Sequence, residues 1–352
     1  MDISSVDGDH VEGENIKRMN NRGFRITFSI LLSSFFLLWI ADPCLSDLKA
    51  GPPVFLDLDG PKSFRQNPPQ DYGPWNRDLD WYESSDGLVF SKKGIFVERG
   101  GVPCLVKAPD GRLFAVFQWF PLNQRESFDQ VAVMVSSDQG RNWTPPSLLR
   151  VSGLPSNLYR VFDPTLVALP EGGFRLYFSS ERTSALNPRG NRAIFSAISN
   201  DGISFEFEPG QRFGFEGSET YDCAVGFVGT LWHLFCPVSA SEGWGYHATS
   251  SDGLNFLQQP PVFIPGQRDW LGNVNSTEKG LYFYGSGRQG AWAGFSPDGF
   301  NWSLASGATN LGGDPAIVSA GERGYLAVAT GPLRADAKPG PPVFSKKSVI
   351  RR

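Results

Sequence analysis

Histidine is nearly absent from this 352-residue chain. It has three, His10, His233 and His247, which excludes a zinc site built on histidines. His233 and His247 read as ordinary strand residues. Charge is scarce as well: Asp, Glu, Lys and Arg make up 19% of residues, and the formal net charge is −4. There is no basic surplus of the kind that nucleic-acid binding requires. The apolar run Ile26–Ala41 is shorter than the roughly 20 residues of a membrane span and is broken by three serines. The chain lacks a GxSxG nucleophile elbow, Ser286 having no such frame. Its one GxGxxG match, "GSGRQG" at 285–290, joins two strands with no helix after it, which excludes dinucleotide binding.

Aromatics and turn formers are plentiful. There are 28 Phe and 10 Trp, with 40 Gly and 27 Pro. Such a composition suits many short strands joined by turns. One pattern recurs: "SSDGLVF" at 84–90, "SSDQGRNW" at 136–143, "SNDGISF" at 199–205, "SSDGLNF" at 250–256 and "SPDGFNW" at 296–302. Its aspartates, Asp86, Asp138, Asp201, Asp252 and Asp298, are 52, 63, 51 and 46 residues apart. An enzyme has little use for five copies of a catalytic loop, whereas a repeat architecture needs one structural turn per unit. In such a turn the Asp accepts backbone N–H groups and Gly takes the positive-φ position.

Each pattern is preceded by three apolar segments. The first of these read "GVPCLV" (101–106), "FDPTLV" (162–167), "YDCAVGF" (221–227), "GNVNS" (272–276) and "GDPAIV" (313–318). Four short antiparallel strands per unit, repeated radially, make a β-propeller blade. The last unit lacks its second half, and "LDWYESSDGLVF" at 79–90 supplies it. The expected fold is therefore an all-β, five-bladed propeller closed by pairing of the N-terminal and C-terminal strands, which removes open sheet edges. A six-bladed, sialidase-like propeller is the alternative.

Function then belongs at the central funnel, where the innermost strands begin. Alignment on "DP" makes Val102, Asp163, Asp222, Asn273 and Asp314 equivalent. Three blades thus aim a carboxylate at one opening, and Glu219 lies just upstream of Asp222. Like charges converging in a low-dielectric mouth split their pKa values, which is how two carboxylates become acid and base in glycoside hydrolysis. The same oxygens would suit Ca²⁺; no other cofactor is expected. Trp119, Trp244, Trp270 and Trp292 lie near loops and suit sugar stacking.

Ser136-x-Asp138-x-Gly140-x-x-Trp143 resembles the Asp box of sialidases and related BNR-repeat propellers. The other four copies are similar to a variant with Gly directly after Asp, as in five-bladed glycoside hydrolases of the arabinanase and fructosidase type. That second resemblance implies Asp163 as base or nucleophile, Glu219 as acid, and Asp222 or Asp314 as modulator. The sialidase resemblance implies different residues: Arg99 ahead of the first inner strand, Asp129 as acid, and carboxylate-gripping partners drawn from Arg160, Arg182, Arg288 and Arg334.

Lys17, Arg18, Arg22 and Arg25 ahead of Ile26–Ala41 form the basic and apolar regions of a signal peptide. Secretion or export to a periplasm is expected, with an uncleaved anchor over residues 26–41 as the alternative. In an oxidising compartment, Cys223 and Cys236 are candidates for a cross-strand disulfide. They are equidistant from a Gly229-Thr230 turn, and non-hydrogen-bonded pairs bring Cα atoms to about 4.5 Å. The expected layout is a leader over 1–46, a Pro-rich lead-in over 47–78, a propeller over 79–333 and a polar tail over 334–352. The expected function is glycan processing by funnel carboxylates, with a non-catalytic carbohydrate- or protein-binding propeller as the alternative. A carbohydrate is the expected partner.

Overall fold

The computed structural model describes Leu56, Leu58 and residues 72–183, 191–215, 219–238, 242–266, 268–288, 290–305 and 310–344. The leader and most of the lead-in lie outside the described residues. Among the described residues no helix is long and apolar enough to cross a membrane.

Five sheets make five blades. The chain starts in the blade where it finishes, with β1 (Arg77–Ser84) and β2 (Ser91–Val97). The first complete blade is β3 (Gly100–Lys107), β4 (Leu113–Trp119), β5 (Gln130–Ser136) and β6 (Ser147–Leu148). The second contains β7 (Arg150–Ser152), β8 (Phe162–Ala168), β9 (Phe174–Arg182), β10 (Asn191–Ser199) and β11 (Ser204–Phe213). The third is β12 (Ala224–Val228), β13 (Leu231–Pro237), β14 (Trp244–Ser250) and β15 (Leu257–Phe263). The fourth is β16 (Arg268–Thr277), β17 (Gly280–Gly287), β18 (Trp292–Ser296) and β19 (Ser303–Leu304). Finally β20 (Gly313–Ser319) and β21 (Tyr325–Leu333) meet β1, in the order β2-β1-β21-β20. The register runs from Arg77 opposite Leu333 to Ser84 opposite Tyr325. This is the expected closure, and the count is five, not six. One strand lies outside the four-per-blade pattern: β7 runs parallel to β11 and carries the chain from the first blade to the second.

The core lies between neighbouring sheets. Phe114 of the first blade packs on Phe174 of the second, with ring centroids 4.6 Å apart. Trp270 and Phe283 of the fourth blade pack on Phe235 of the third at 5.6 and 6.1 Å. Alternating burial along each strand is muted because inner and middle strands are covered on both faces, as Leu113–Gln118 show.

The Ser-x-Asp turns join third to fourth strands, and their bonds are local. In the copy at Ser136, the Ser hydroxyl donates to Asp138 Oδ1 (2.8 Å) and accepts the Gly140 N–H (2.8 Å), while Asp138 Oδ1 accepts the Asn142 N–H (2.9 Å). The copies at Asp86, Asp201, Asp252 and Asp298 repeat the scheme. These bonds hold the Asp86 and Asp138 carboxyls down at about 2. Since strands alternate in direction, the turns lie on the face opposite the inner-strand starts.

Glycine is required in these turns. Gly202 has φ +76°, and a Cβ there would sit 2.8 Å from the Phe114 ring. Gly202→Ala should destabilise by about 1–2 kcal/mol or more, from the left-handed backbone and the clash together. Val102 is the opposite case: a β-branched residue at φ 47°, held against its preference. Val102→Asn should raise stability by about 1 kcal/mol, because Asn tolerates the left-handed region. Chemical denaturation of both variants checks the two signs.

Candidate functional site

The inner strands share an unusual backbone feature. Val102, Asp163, Asp222 and Asp314 all have positive φ, at 47°, 48°, 51° and 47°. In each case the regular ladder resumes two residues later, at Cys104, Thr165, Ala224 and Ala316. The left-handed residue swings the chain out of the sheet, so its side chain leaves the alternating pattern. Together these residues line a narrow opening at the ring's centre, with Leu271, Gly272 and Asn273 of the fourth blade closing the remaining side.

The fourth blade corrects one expected equivalence. Register counted from the serines of the Ser-x-Asp turns pairs Ser199 with Phe174 and, three residues on, Tyr177 with Thr165. The same count pairs Ser296 with Leu281, and Tyr284 with Asn273. Asn273 is therefore equivalent to Thr165, not to Asp163. Its ladder runs regularly from Thr277 back to Gly272, and the register shift falls earlier, between Arg268 and Gly272. The Asn273 side chain instead crosses the funnel and donates to the Pro103 carbonyl at 2.8 Å.

The three aspartates do converge. Asp163 and Asp222 hydrogen-bond to each other through their side chains. Burial pushes Asp222 well above the usual carboxylate range, and the charges of Asp163 and Asp314 push it further. Burial also raises Asp163, but the Ser179 hydroxyl, Arg192, the Asp222 hydrogen bond and Arg160 all oppose the rise. Asp222 is accordingly the member of the pair that keeps a proton, and Asp163 is the acceptor. Asp314 is pushed up to about 6 by burial and by Asp163, against Ser286 and Arg77.

Two serines seat these carboxylates, and sequence reasoning missed both. Ser179 Oγ accepts the Asp222 N–H at 3.1 Å and also bonds the Asp163 carboxylate. Ser286 Oγ accepts the Asp314 N–H at 2.8 Å and donates to Asp314 Oδ1 at 3.3 Å. Both lie five residues beyond the residue paired with the turn serine, Phe174 or Leu281. Superposing the second strands, "FRLYFSS" on "LYFYGS", would have revealed them. Arg192 was missed as well. It forms ion pairs with Glu181 at 3.6 Å and Glu219 at 3.7 Å. Its guanidinium also lies over the rings of Phe162 and Tyr221, at 5.6 and 5.7 Å. These rings belong to the residues immediately before Asp163 and Asp222, so one cation steadies both approaches to the carboxylate pair.

The remaining expected residues divide. Glu219 is partly buried and ion-paired with Arg192, three residues ahead of Asp222. Asp129 pairs with Arg160 and accepts from Gln118 Nε2 at 2.5 Å. Arg160 in turn lies over Phe162 at 4.6 Å. Arg182 is exposed at the end of β9 on the same face. Arg99 and Arg334 are committed to the closing blade: Arg99 to the Trp75 carbonyl (2.7 Å) and Asp336 (2.6 Å), Arg334 to Asp78 and Asp336. Arg288 pairs with Glu242 at 3.0 Å. Trp119 is half-buried at the end of β4. Trp270 is fully buried between two sheets, so it cannot stack on a sugar; its Nε1 donates to the Gly243 carbonyl at 3.0 Å. Trp292 is likewise buried, donating to the Asp269 and Ser286 carbonyls.

Cys223 and Cys236 are free, buried thiols and not a disulfide. The counting across the hairpin is right, since Ala224 pairs with Phe235. But Cys223 falls where three other blades place Pro103, Pro164 and Pro315, between the left-handed residue and the resumed ladder, so it is not a ladder position. Burial raises both thiols, Cys236 well above its ordinary value. His233 and His247 stack in the core with Nδ1 and Nε2 2.9 Å apart. Burial lowers them to about 4 and about 3, which keeps both neutral. Among the described residues no group of three or more His, Cys, Asp or Glu is arranged to hold a metal ion.

Asp314 makes stability depend on pH. Its folded value of about 6 lies above the ordinary value of 3.8, so between these limits the folded state binds more protons. Its contribution is present at low pH and is lost as pH rises through about 6. Asp314→Asn should therefore gain on the wild type by on the order of 2 kcal/mol between pH 4 and pH 7, as read by denaturant melts across that range.

No protein-family model and no curated protein matches this sequence. Solved structures do. A Dyadobacter fermentans protein of unknown function aligns with TM-score 0.50 at 14% identity, over 77% of this chain and 87% of its own. A thermostable family-43 glycoside hydrolase aligns at 0.49 and 14%, over 70% and 96%. A family 117 glycoside hydrolase from Zobellia galactanivorans aligns at 0.47 and 15%, over 70% and 80%. At these identities the likeness concerns the fold: this chain is a five-bladed β-propeller.

Proposed function

We propose that this protein is a glycoside hydrolase whose chemistry resides on the funnel carboxylates. The observation that carries the reading is the convergence of three aspartates, from three blades, at one opening: Asp163 is buried, Asp222 and Asp314 are partly buried, and their proton affinities are unequal. Cleavage of a glycosidic bond needs one carboxylate to attack or to activate water, and one carboxylic acid to protonate the leaving oxygen. Asp163 fits the first role, since Ser179, Arg192 and the Asp222 hydrogen bond favour its ionised form. Asp222, hydrogen-bonded directly to Asp163, is too close to be the acid across a sugar ring and serves as its modulator. Asp314 fits the acid: it is not bonded to Asp163, and its value of about 6 keeps it protonated in mildly acidic solution. Glu219 orients Arg192 in this scheme and is not the proton donor. Export through the N-terminal segment would place the enzyme outside the cytoplasm, where polymeric glycans are met.

A second reading is a non-catalytic carbohydrate-binding propeller. What favours it is that Asp163 and Asp314 are already engaged by the Ser179 and Ser286 hydroxyls within the fold.

The test is a panel of nitrophenyl glycosides, sialosides included, against wild type, Asp163→Asn and Asp314→Asn. Asp163→Asn should lower kcat by at least about 10²-fold. Wild-type kcat should fall as pH rises above about 6, where Asp314 loses its proton. Asp314→Asn should lose that alkaline limb and keep residual activity on the best leaving groups. Turnover by the wild type of neither these glycosides nor oligo- and polysaccharides would favour the binding module.

A further inference from the structure

A second cluster lies beside the funnel, on the same face. Trp244 opens β14 and Phe263 ends β15, and the two are directly paired across the strands. Their rings lie 4.7 Å apart, tilted by 41°. Both are exposed, at 39% and 45%. Among the described tryptophans Trp244 alone is exposed, although this fold has ample interior to cover such rings.

The platform is held firmly. Gly243, at φ +83°, donates its N–H to the Arg268 carbonyl (2.7 Å), and its carbonyl accepts from the Ile264 N–H (2.8 Å) and the buried Trp270 indole (3.0 Å). Next to it stand Glu242, ion-paired with Arg288 at 3.0 Å, and Asp269, whose carboxyl burial and the Glu242 charge raise. These groups join the third blade to the fourth. They also connect to the funnel: the Trp292 indole bridges the Asp269 and Ser286 carbonyls, and the Ser286 hydroxyl holds Asp314.

We propose that Trp244 and Phe263, rimmed by Glu242, Asp269 and Arg288, form a glycan subsite that binds a sugar residue of the substrate chain away from the cleavage point. A rigid exposed indole offers a flat apolar face for the C–H groups of a sugar ring, at little cost in side-chain entropy. Carboxylates and a guanidinium beside it supply acceptors and donors for the hydroxyls. The substrate is accordingly an oligo- or polysaccharide rather than a monosaccharide glycoside. Placing the site on a substrate rests on the glycosidase reading, but the binding is measurable without turnover.

The experiment is affinity electrophoresis of the full chain carrying Asp163→Asn, in gels containing soluble xylan, arabinan, galactan or inulin. At least one polysaccharide should retard the protein. Adding Trp244→Ala should weaken that binding roughly tenfold, while Trp244→Phe, which keeps a flat ring, retains most of it. Near-UV circular dichroism controls for folding. Retardation by none of the four, or retardation unchanged in a folded Trp244→Ala protein, would overturn the subsite. Full activity of Asp163→Asn would sink the funnel chemistry instead and leave the binding result standing.

Discussion

Everything at the candidate site depends on the left-handed residue at the head of the inner strands. A propeller brings five strand ends to one axis, and a regular strand would alternate its side chains into the neighbouring sheets. One residue at φ near 50° breaks that alternation and turns its side chain toward the axis. Val102 shows that the conformation belongs to the architecture and not to aspartate, since a β-branched side chain adopts it in the first blade. Where the residue is Asp, the same strain delivers a carboxylate to the opening.

That placement explains the electrostatics. Carboxylates brought together inside walls such as Val102 and Leu271 are costly to ionise at once. Asp163 and Asp222 relieve the conflict by a hydrogen bond between them, and Asp314 by remaining partly protonated. Arg160 and Arg192 stand outside, tied to Asp129, Glu181 and Glu219. They temper the negative potential without entering the pair. On the opposite face the Ser-x-Asp turns keep their aspartates strongly ionised by local N–H bonds, as Asp138 shows. One residue type thus has two opposed environments at the two ends of the same blades.

The sequence made the fold legible because each blade is punctuated by a turn whose chemistry needs Ser, Asp and Gly at fixed spacing. Blade count, ring closure and the positions of Asp163, Asp222 and Asp314 followed from it. What escaped was information that lives between blades. Ser179 and Ser286 are ordinary strand serines until the next blade's N–H is placed against them. Arg192 acts through rings and carboxylates on three other elements. Asn273 was misaligned because the irregularity of its blade falls earlier, between Arg268 and Gly272, and Trp270 lies near a loop in sequence while its ring packs on Phe235 and Phe283 between two blades. The Cys223–Cys236 pairing failed at the same bulge that makes the site.

The central claim is that the Asp163–Asp222 pair holds a proton well above the pH at which an ordinary aspartate has lost it. Infrared difference spectroscopy of the carboxylic C=O stretch tests this directly, comparing wild type with Asp222→Asn. A protonated-carboxyl band should persist in the wild type well above the pH at which an ordinary aspartate has lost its proton, and the variant should lose that component and keep only the band of Asp314, which fades through about 6. Loss of every such band at the ordinary value, or a band unchanged by Asp222→Asn, would contradict it.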